Sequence, residues 1–560
     1  MVSTDDSLSL LPSSPTPLLP IPDHNHTQSQ YISRLRGWLT YAFASEAFAV
    51  CSLGLFLPVL LEQFARENGV LLPERSLPCV PGTGEVQAEG GRCVVRIGWA
   101  WVDTASFSLY VYSTSVAIQA LTVISLGGIA DHGKRKPLLL SFALLGSCST
   151  TLFLFLPSHS PLWPICALLA ITANVAFGAS IVALNAYLPG LARDAPEVRA
   201  GRLAVDEAFR HLREDDTDLD DSAFNPEAAQ AALKDWHTLI SRTTARISAR
   251  GIALGYFAGI LALLLLLIPV TLLKGSTFSL RLCVGLSGIW WGVFTLPAAA
   301  WLPSDSTTTN TNITPNKPQP RSTIREIASA WAELGRMLLP SHILQLKHTF
   351  LFLAAWFLLS DTFTTISSTA ILFSKTSLHL PPTSLMLIAI LAPCSGVIGA
   401  LTCTALQQRY AWSNKRVLLT LVLLLTVVPA YGCLGFFLPS LGLKHSWEMY
   451  ILALYYGFIN GSFQSYARAL FSELIPRGEE ARFFGLYSIT DKSSSFLGPL
   501  VVGVIADKGE IRNAFWFLLG MVLVAWPVLA GVDPERGREE AAGYRRLDGE
   551  EEEEGDVEEE

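Results

Sequence analysis

The chain has 560 residues, half of them hydrophobic, and only 16% are Asp, Glu, Lys or Arg. Soluble globular domains carry about a quarter of their residues as charge, so a water-soluble fold is disfavoured. The formal net charge of −8 is a local feature, because acidic residues crowd the stretch from Glu535 to Glu560; a run of like charges repels itself and stays solvated, and no nucleic-acid partner is expected.

Residues 1–36 are rich in Ser, Pro and Thr before Tyr31, read as a disordered cytosolic segment, and lack the layout of a signal peptide. A helix needs about 20 apolar residues to cross a bilayer. Stretches of that kind fall at 38–61, 106–130, 137–157, 162–188, 248–273, 279–302, 348–374, 382–405, 416–438, 447–475, 484–507 and 512–532. They predict an all-α integral membrane protein of about twelve transmembrane helices in two six-helix halves, 37–302 and 347–532. A cytosolic insert at 192–246 separates spans four and five, with an acidic cluster around Glu214 to Asp221 read as a solvated loop. The linker 303–346 begins as low-complexity sequence, and its Ile324–Leu339 portion has the spacing of an amphipathic surface helix. Residues 533–560 are read as a disordered acidic tail, and the strings Asp6 to Leu11 and Tyr544 to Leu547 look like sorting signals.

Orientation follows from the loops. Those after even-numbered spans hold roughly twenty Lys and Arg, those after odd-numbered spans about eight. The even loops and both termini are therefore expected in the cytosol. Seven of the nine cysteines lie in apolar spans, whereas Cys79 and Cys93 share the loop between spans one and two, on the side where oxidation is permitted, and are candidates for a disulfide.

After span two comes Gly127-Gly128-Ile129-Ala130-Asp131-His132-Gly133-Lys134-Arg135-Lys136, with a weaker echo after span eight. Duplicated halves are a transporter signature. This segment resembles the Gly-x-x-x-Asp-Arg-x-Gly-Arg-Lys loop of the major facilitator superfamily, although one residue is missing between Asp131 and Gly133 and His132 replaces a basic residue. In such a loop Gly127 allows close helix approach, Asp131 caps or pairs at a helix end, and Lys134 and Arg135 hold the cytosolic surface.

Charge at bilayer depth is costly, so ionisable residues inside spans are functional candidates. Glu46 lies in span one and Asp361 in span seven, helices that occupy equivalent positions in the two halves. Span ten carries Asn460, Gln464 and Arg468 at four-residue spacing, hence on one face, and span four carries Asn174. Glu46, Asn174, Asp361, Asn460 and Gln464 are the expected substrate or proton pathway. Arg468 and Asp491 of span eleven lie at similar depth and form a possible gate pair. No metal-ligand or nucleophile motif and no phosphate-binding loop occurs, so no enzyme activity, metal or cofactor is expected, and an ion or substrate gradient must supply the energy.

Several segments resemble a specific family. Gly37 to Glu46, Leu61 to Asn68, Ile247 to Tyr256, Trp356 to Thr362, and Phe471 to Pro476 with Phe483 to Lys492 are similar to the fungal autophagy-related protein twenty-two family, itself major-facilitator-like. One departure is Ala47, where the family pattern leads to proline, which removes the expected cause of a kink. The resemblance implies a multi-pass protein of the vacuole membrane that returns neutral amino acids such as leucine to the cytosol, its partners being membrane lipid and that small-molecule substrate. The alternatives are a carrier of another small solute and a non-transporting membrane scaffold.

Overall fold

The computed structural model describes residues 24–544 apart from 72–77, 80–92, 99, 130–133, 159, 215–225, 274–275, 304–330, 333–334, 337–338, 379, 381, 439, 496 and 509. The acidic cluster beyond Glu214, most of the linker, Asp131, Gly133 and the Asp6 to Leu11 string lie outside the described residues.

Hydrocarbon offers no partner to a backbone N–H or C=O, so each must be met within its own helix, and the apolar runs accordingly become helices. The first, α1, runs as His24–Ala47, passes through a π-helical stretch at Phe48–Phe56 and ends as Leu57–Glu67. The π stretch begins one residue beyond Ala47, so the helix is distorted there without the proline. The other helices of the first half are α2 (Thr104–Ile129), α3 (Arg135–Leu152), α4 (Ile165–Asn185), α5 (Pro226–Leu272) and α6 (Thr277–Trp301). The second half holds α7 (Lys347–Thr376), α8 (Pro382–Tyr410), α9 (Asn414–Leu434), α10 (Ser446–Glu473), α11 (Glu480–Ser494, then Leu497–Lys508) and α12 (Ala514–Ala530).

By length and composition, 10 of these qualify as membrane-crossing helices. The remaining two are α10 and α11. With 28 residues α10 reaches roughly 42 Å at 1.5 Å per residue, and α11 is broken near Ser495. Counting both, the architecture is consistent with twelve.

The structure fills in the 192–246 insert and corrects two expectations, those for the N-terminal segment and the tail. The 192–246 insert is largely helical: Leu188–Arg193, Pro196–Glu214 and an extension that starts α5 at Pro226 instead of 248. Its helices are held by packing, with Trp236 Nε1 donating to the Val198 carbonyl (3.0 Å) and Arg246 paired with Glu197. The N-terminal segment is helical from His24, anchored by Arg34 to Asp194 (2.9 Å). Residues 534–544 form a helix, not part of a disordered tail. Arg538 binds Glu473 (3.3 Å), the Glu540 carboxylate accepts from the His348 N–H (3.0 Å), and Tyr544 is buried beside His342, which removes it from the exposed string a sorting signal needs.

Between α1 and α2 lies a small antiparallel sheet, β1 (Val70–Leu71), β2 (Cys93–Ile97) and β3 (Ala100–Asp103), in the order β1-β2-β3. The Cys79–Cys93 disulfide is formed there, with Cα atoms 6.0 Å apart.

One buried core is built almost wholly from residues after Leu346, and two others from residues before Pro303. Across the two halves α5 packs on α8 and α10, while α2 and α4 pack on α11. The closest pair within a half is α8 and α10. A Cβ on Gly457 would stand 2.1 Å from the Ala392 carbonyl oxygen, and one on Gly399 the same distance from that of Phe458. Only glycine permits that backbone-to-backbone approach, the small-residue packing by which membrane helices associate without a hydrophobic driving force.

Candidate functional site

The polar links between the two halves gather at one end of the bundle, the end that carries the Lys- and Arg-rich loops. Glu480, at the start of α11, is almost fully buried. Its carboxylate accepts from Arg135 Nη2 (2.8 Å) of α3 and Arg193 Nη2 (2.9 Å) of the 188–193 helix, and from the Gly478 N–H (3.1 Å). Arg135 also donates to the Ala186 carbonyl (3.1 Å). Glu473, closing α10, accepts from Ser241 Oγ (2.8 Å) of α5 and from Asn414 Nδ2 (2.6 Å). One turn deeper Arg468 donates through Nε to Ser248 Oγ (3.1 Å), through Nη1 to Asn185 Oδ1 (3.0 Å) and through Nη2 to the Ser248 carbonyl (3.3 Å). Its guanidinium lies 5.5 Å from the centre of the Trp38 ring, a cation–π placement. The Ser248 Oγ donation to the Ser465 carbonyl (2.8 Å) and that of Asn414 Nδ2 to the Ser241 carbonyl (3.1 Å) join the halves at this end as well.

The expected Arg468–Asp491 pair is therefore corrected. Arg468 turns toward the first half, while Asp491 pairs with its neighbour Lys492 (3.3 Å) and accepts a hydrogen bond from Ser360 Oγ. The sequence placed the two at equal depth but could not show that Asn185 and Ser248 stand nearer.

The pathway candidates divide. Glu46 is half-buried on α1, packed against the Gly255 backbone, and within electrostatic reach of Arg468 and Lys492. Among the described residues no hydrogen bond or ion pair is formed to its carboxylate. On α10, Asn460 and Gln464 are half-buried beside fully buried Ile459 and Phe463, and no protein hydrogen bond to either side chain occurs among the described residues. These three side chains are partly accessible and their polar atoms make no protein hydrogen bond among the described residues.

Asn174 and Asp361 differ. Asn174 is buried and donates to Ser115 Oγ (2.5 Å), joining α4 to α2. Asp361 is buried, and its carboxylate accepts from the Gly498 N–H (3.0 Å) and Thr365 Oγ1 (3.4 Å). Gly498 lies in the first turn of the second segment of α11, where helix N–H groups have no intrahelical partner. Asp361 thus caps the break in a neighbouring helix.

Of the loop motif, Gly127 lies in the last turn of α2 and Arg135 makes the Glu480 link, with Lys134 just before α3. Sequence reasoning missed Glu480, Arg193, Ser241 and Ser248. The available signal for Glu480 was a pair of acids, Glu479 and Glu480, between Arg477 and Arg482, and it did not name partners 287 and 345 positions away.

Two six-helix sets joined across α5–α8 and α2–α11 make the architecture of a membrane transporter of the major facilitator fold. Solved structures of similar fold include the major facilitator transporter FucP in the outward conformation, with TM-score 0.54 at 12% identity, covering 90% of this chain and 99% of that one. The human organic anion transporter MFSD10 matches at TM-score 0.54 and 13% identity, over 89% and 99% of the two chains. The chain belongs to the family described as vacuole effluxer Atg22 like, whose model matches residues 32–542. Autophagy-related protein 22 of Cryptococcus neoformans var. neoformans is 39% identical, over 91% of this chain and 96% of the relative. Autophagy-related protein 22-1 of Neosartorya fischeri is 40% identical over 90% of each.

Proposed function

We propose that this protein is a secondary carrier of the vacuolar membrane that moves neutral amino acids, leucine among them, from lumen to cytosol by alternating access. The observation that carries the reading is an unsatisfied polar interior combined with one closed end. Glu46, Asn460 and Gln464 hold free hydrogen-bonding capacity, while Glu480, Glu473 and Arg468 tie the halves together where the basic loops lie. The positive-inside rule puts that end in the cytosol, so this arrangement takes substrate from the lumen. Release then requires the Glu480, Glu473 and Arg468 links to part as the halves rock. The family description supports both the vacuole and the outward direction from it.

An acidic lumen provides a proton gradient as driving force. The test is efflux of preloaded labelled leucine from vacuolar vesicles, with and without this protein and with the pH gradient intact or collapsed. Efflux that depends on the protein and slows when the gradient is collapsed is expected. Equal efflux from vesicles with and without the protein overturns the reading.

A further inference from the structure

Four charged side chains lie within the membrane helices: Glu46 of α1, Arg468 of α10, and Asp491 and Lys492 of α11. Each cation is within electrostatic reach of Glu46, and Lys492 is also paired with Asp491. Two carboxylates against two cations leave the set without net charge. Asp361, capped on Gly498 and Thr365, stands outside it.

The four are not equally available. Asp491 has one oxygen engaged by Ser360 and the other by Lys492. Arg468 has three of its five N–H donors committed to Asn185 and Ser248, and its face covers Trp38. Lys492 makes a single ion pair from an ammonium with three donors, and its side chain keeps 34% of its accessible surface. Glu46 offers a carboxylate with no protein hydrogen bond among the described residues. Glu46 and Lys492 are therefore the acceptor and the donor of this set with the least committed hydrogen-bonding capacity, of opposite sign, each accompanied by a charge that the protein already holds in place.

We propose that Glu46 binds the ammonium and Lys492 the carboxylate of a zwitterionic substrate, with Arg468 and Asp491 as fixed counter-charges, so that the site selects ligands of zero net charge. Interior charge is tolerated only when compensated. A zwitterion keeps the balance, whereas a basic or acidic amino acid brings one uncompensated charge into the membrane. The inference rests on the amino-acid carrier reading and adds which groups set the selectivity.

The test uses the purified full chain in nanodiscs and follows ligand-induced thermal stabilisation, which reports binding by mass action. The probes are leucine, 4-methylpentanoate (leucine without its ammonium) and 3-methylbutylamine (leucine without its carboxylate). The wild type is expected to be stabilised by leucine and by neither analogue. Glu46→Gln leaves one uncompensated positive charge, so leucine affinity falls on the order of tenfold or more, as for a lost charge-assisted hydrogen bond, and 4-methylpentanoate becomes a ligand. Lys492→Met is the mirror case: leucine binding falls similarly and 3-methylbutylamine binds. Should Glu46→Gln not yield monodisperse protein, the Lys492→Met arm decides alone. Unchanged leucine affinity in the variants, or lost leucine binding with no gain of the matching analogue, overturns this assignment while leaving the carrier reading intact. A wild-type protein that neither binds nor moves leucine overturns both.

Discussion

Glu480 offers the most direct test of how the closed end is held. Replacing it by Gln removes the carboxylate that faces Arg135 and Arg193 at 2.8 and 2.9 Å and leaves two cations facing a neutral amide. Removing one partner of a buried ion pair costs about 3–5 kcal/mol when the remaining charge stays buried. Here the arginines retain 17% and 31% of their side-chain surface, and solvent screening brings the cost down to about 2 kcal/mol. These links join the halves only while that end is shut, so the loss falls on the closed state and raises the open fraction about thirtyfold. The assay is labelling of Gln464→Cys by an impermeant maleimide added from the cytosolic side, in a background lacking the free cysteines. Glu480→Gln should raise the labelling rate by about that factor. A folded variant labelled at the unaltered rate refutes the claim that this cluster holds the cytosolic end shut.

Three further outcomes follow from the same geometry. Asp361→Asn keeps an acceptor for the Gly498 N–H and is expected to preserve transport and stay within about 1 kcal/mol in stability, whereas Asp361→Leu orphans that amide and costs about 2 kcal/mol in denaturant melts; a folded Asn variant without transport would instead make ionisation of this carboxyl part of the cycle. Gly457→Ala places a methyl group 2.1 Å from the Ala392 carbonyl oxygen, and forcing α8 from α10 should cost about 3 kcal/mol or prevent assembly, read as loss of monodisperse protein in size-exclusion chromatography. Cys79→Ser opens a disulfide that spans 14 positions, a closure worth about 3 kcal/mol of unfolded-chain entropy, so thermal stability should fall and Cys93 should become alkylated under non-reducing conditions; a melting curve identical to the wild type contradicts this.

Much of the architecture was legible because lipid imposes a coarse rule on sequence. Each apolar run from Trp38 to Val532 reads as a helix without knowledge of its neighbours, since hydrocarbon leaves the backbone no other way to satisfy its polar groups. The Lys and Arg asymmetry likewise reads locally and gives an orientation. Where water replaces lipid the rule lapses. The helices of the 192–246 insert were not read from the sequence because they are stabilised by Trp236 on Val198 and Arg246 on Glu197, contacts that hydropathy does not register. The helix at 534–544 was hidden in an acidic composition, because its anchors are Glu473 and His348, far back in the chain.

At the site, the sequence by itself determined which residues carry charge into the membrane: Glu46, Asp361, Arg468 and Asp491 stand out because burial of an ion is too costly to be incidental. It also placed Asn460, Gln464 and Arg468 on one face, since helical periodicity alone decides that. Only the tertiary structure decided what each charge does. Glu46 and Asp361 lie on matching helices of the two halves, yet one carboxylate has no hydrogen-bond partner among the described residues and the other caps the second segment of α11. Arg468 reaches Asn185 and Ser248 instead of Asp491, and Glu480 draws its two arginines from the first half. The physical reason is the range of the interactions: partition into lipid acts residue by residue along the chain, whereas hydrogen bonds and ion pairs act over about 3 Å in space. Their partners here lie from 131 to 345 positions away, and folding alone brings them together.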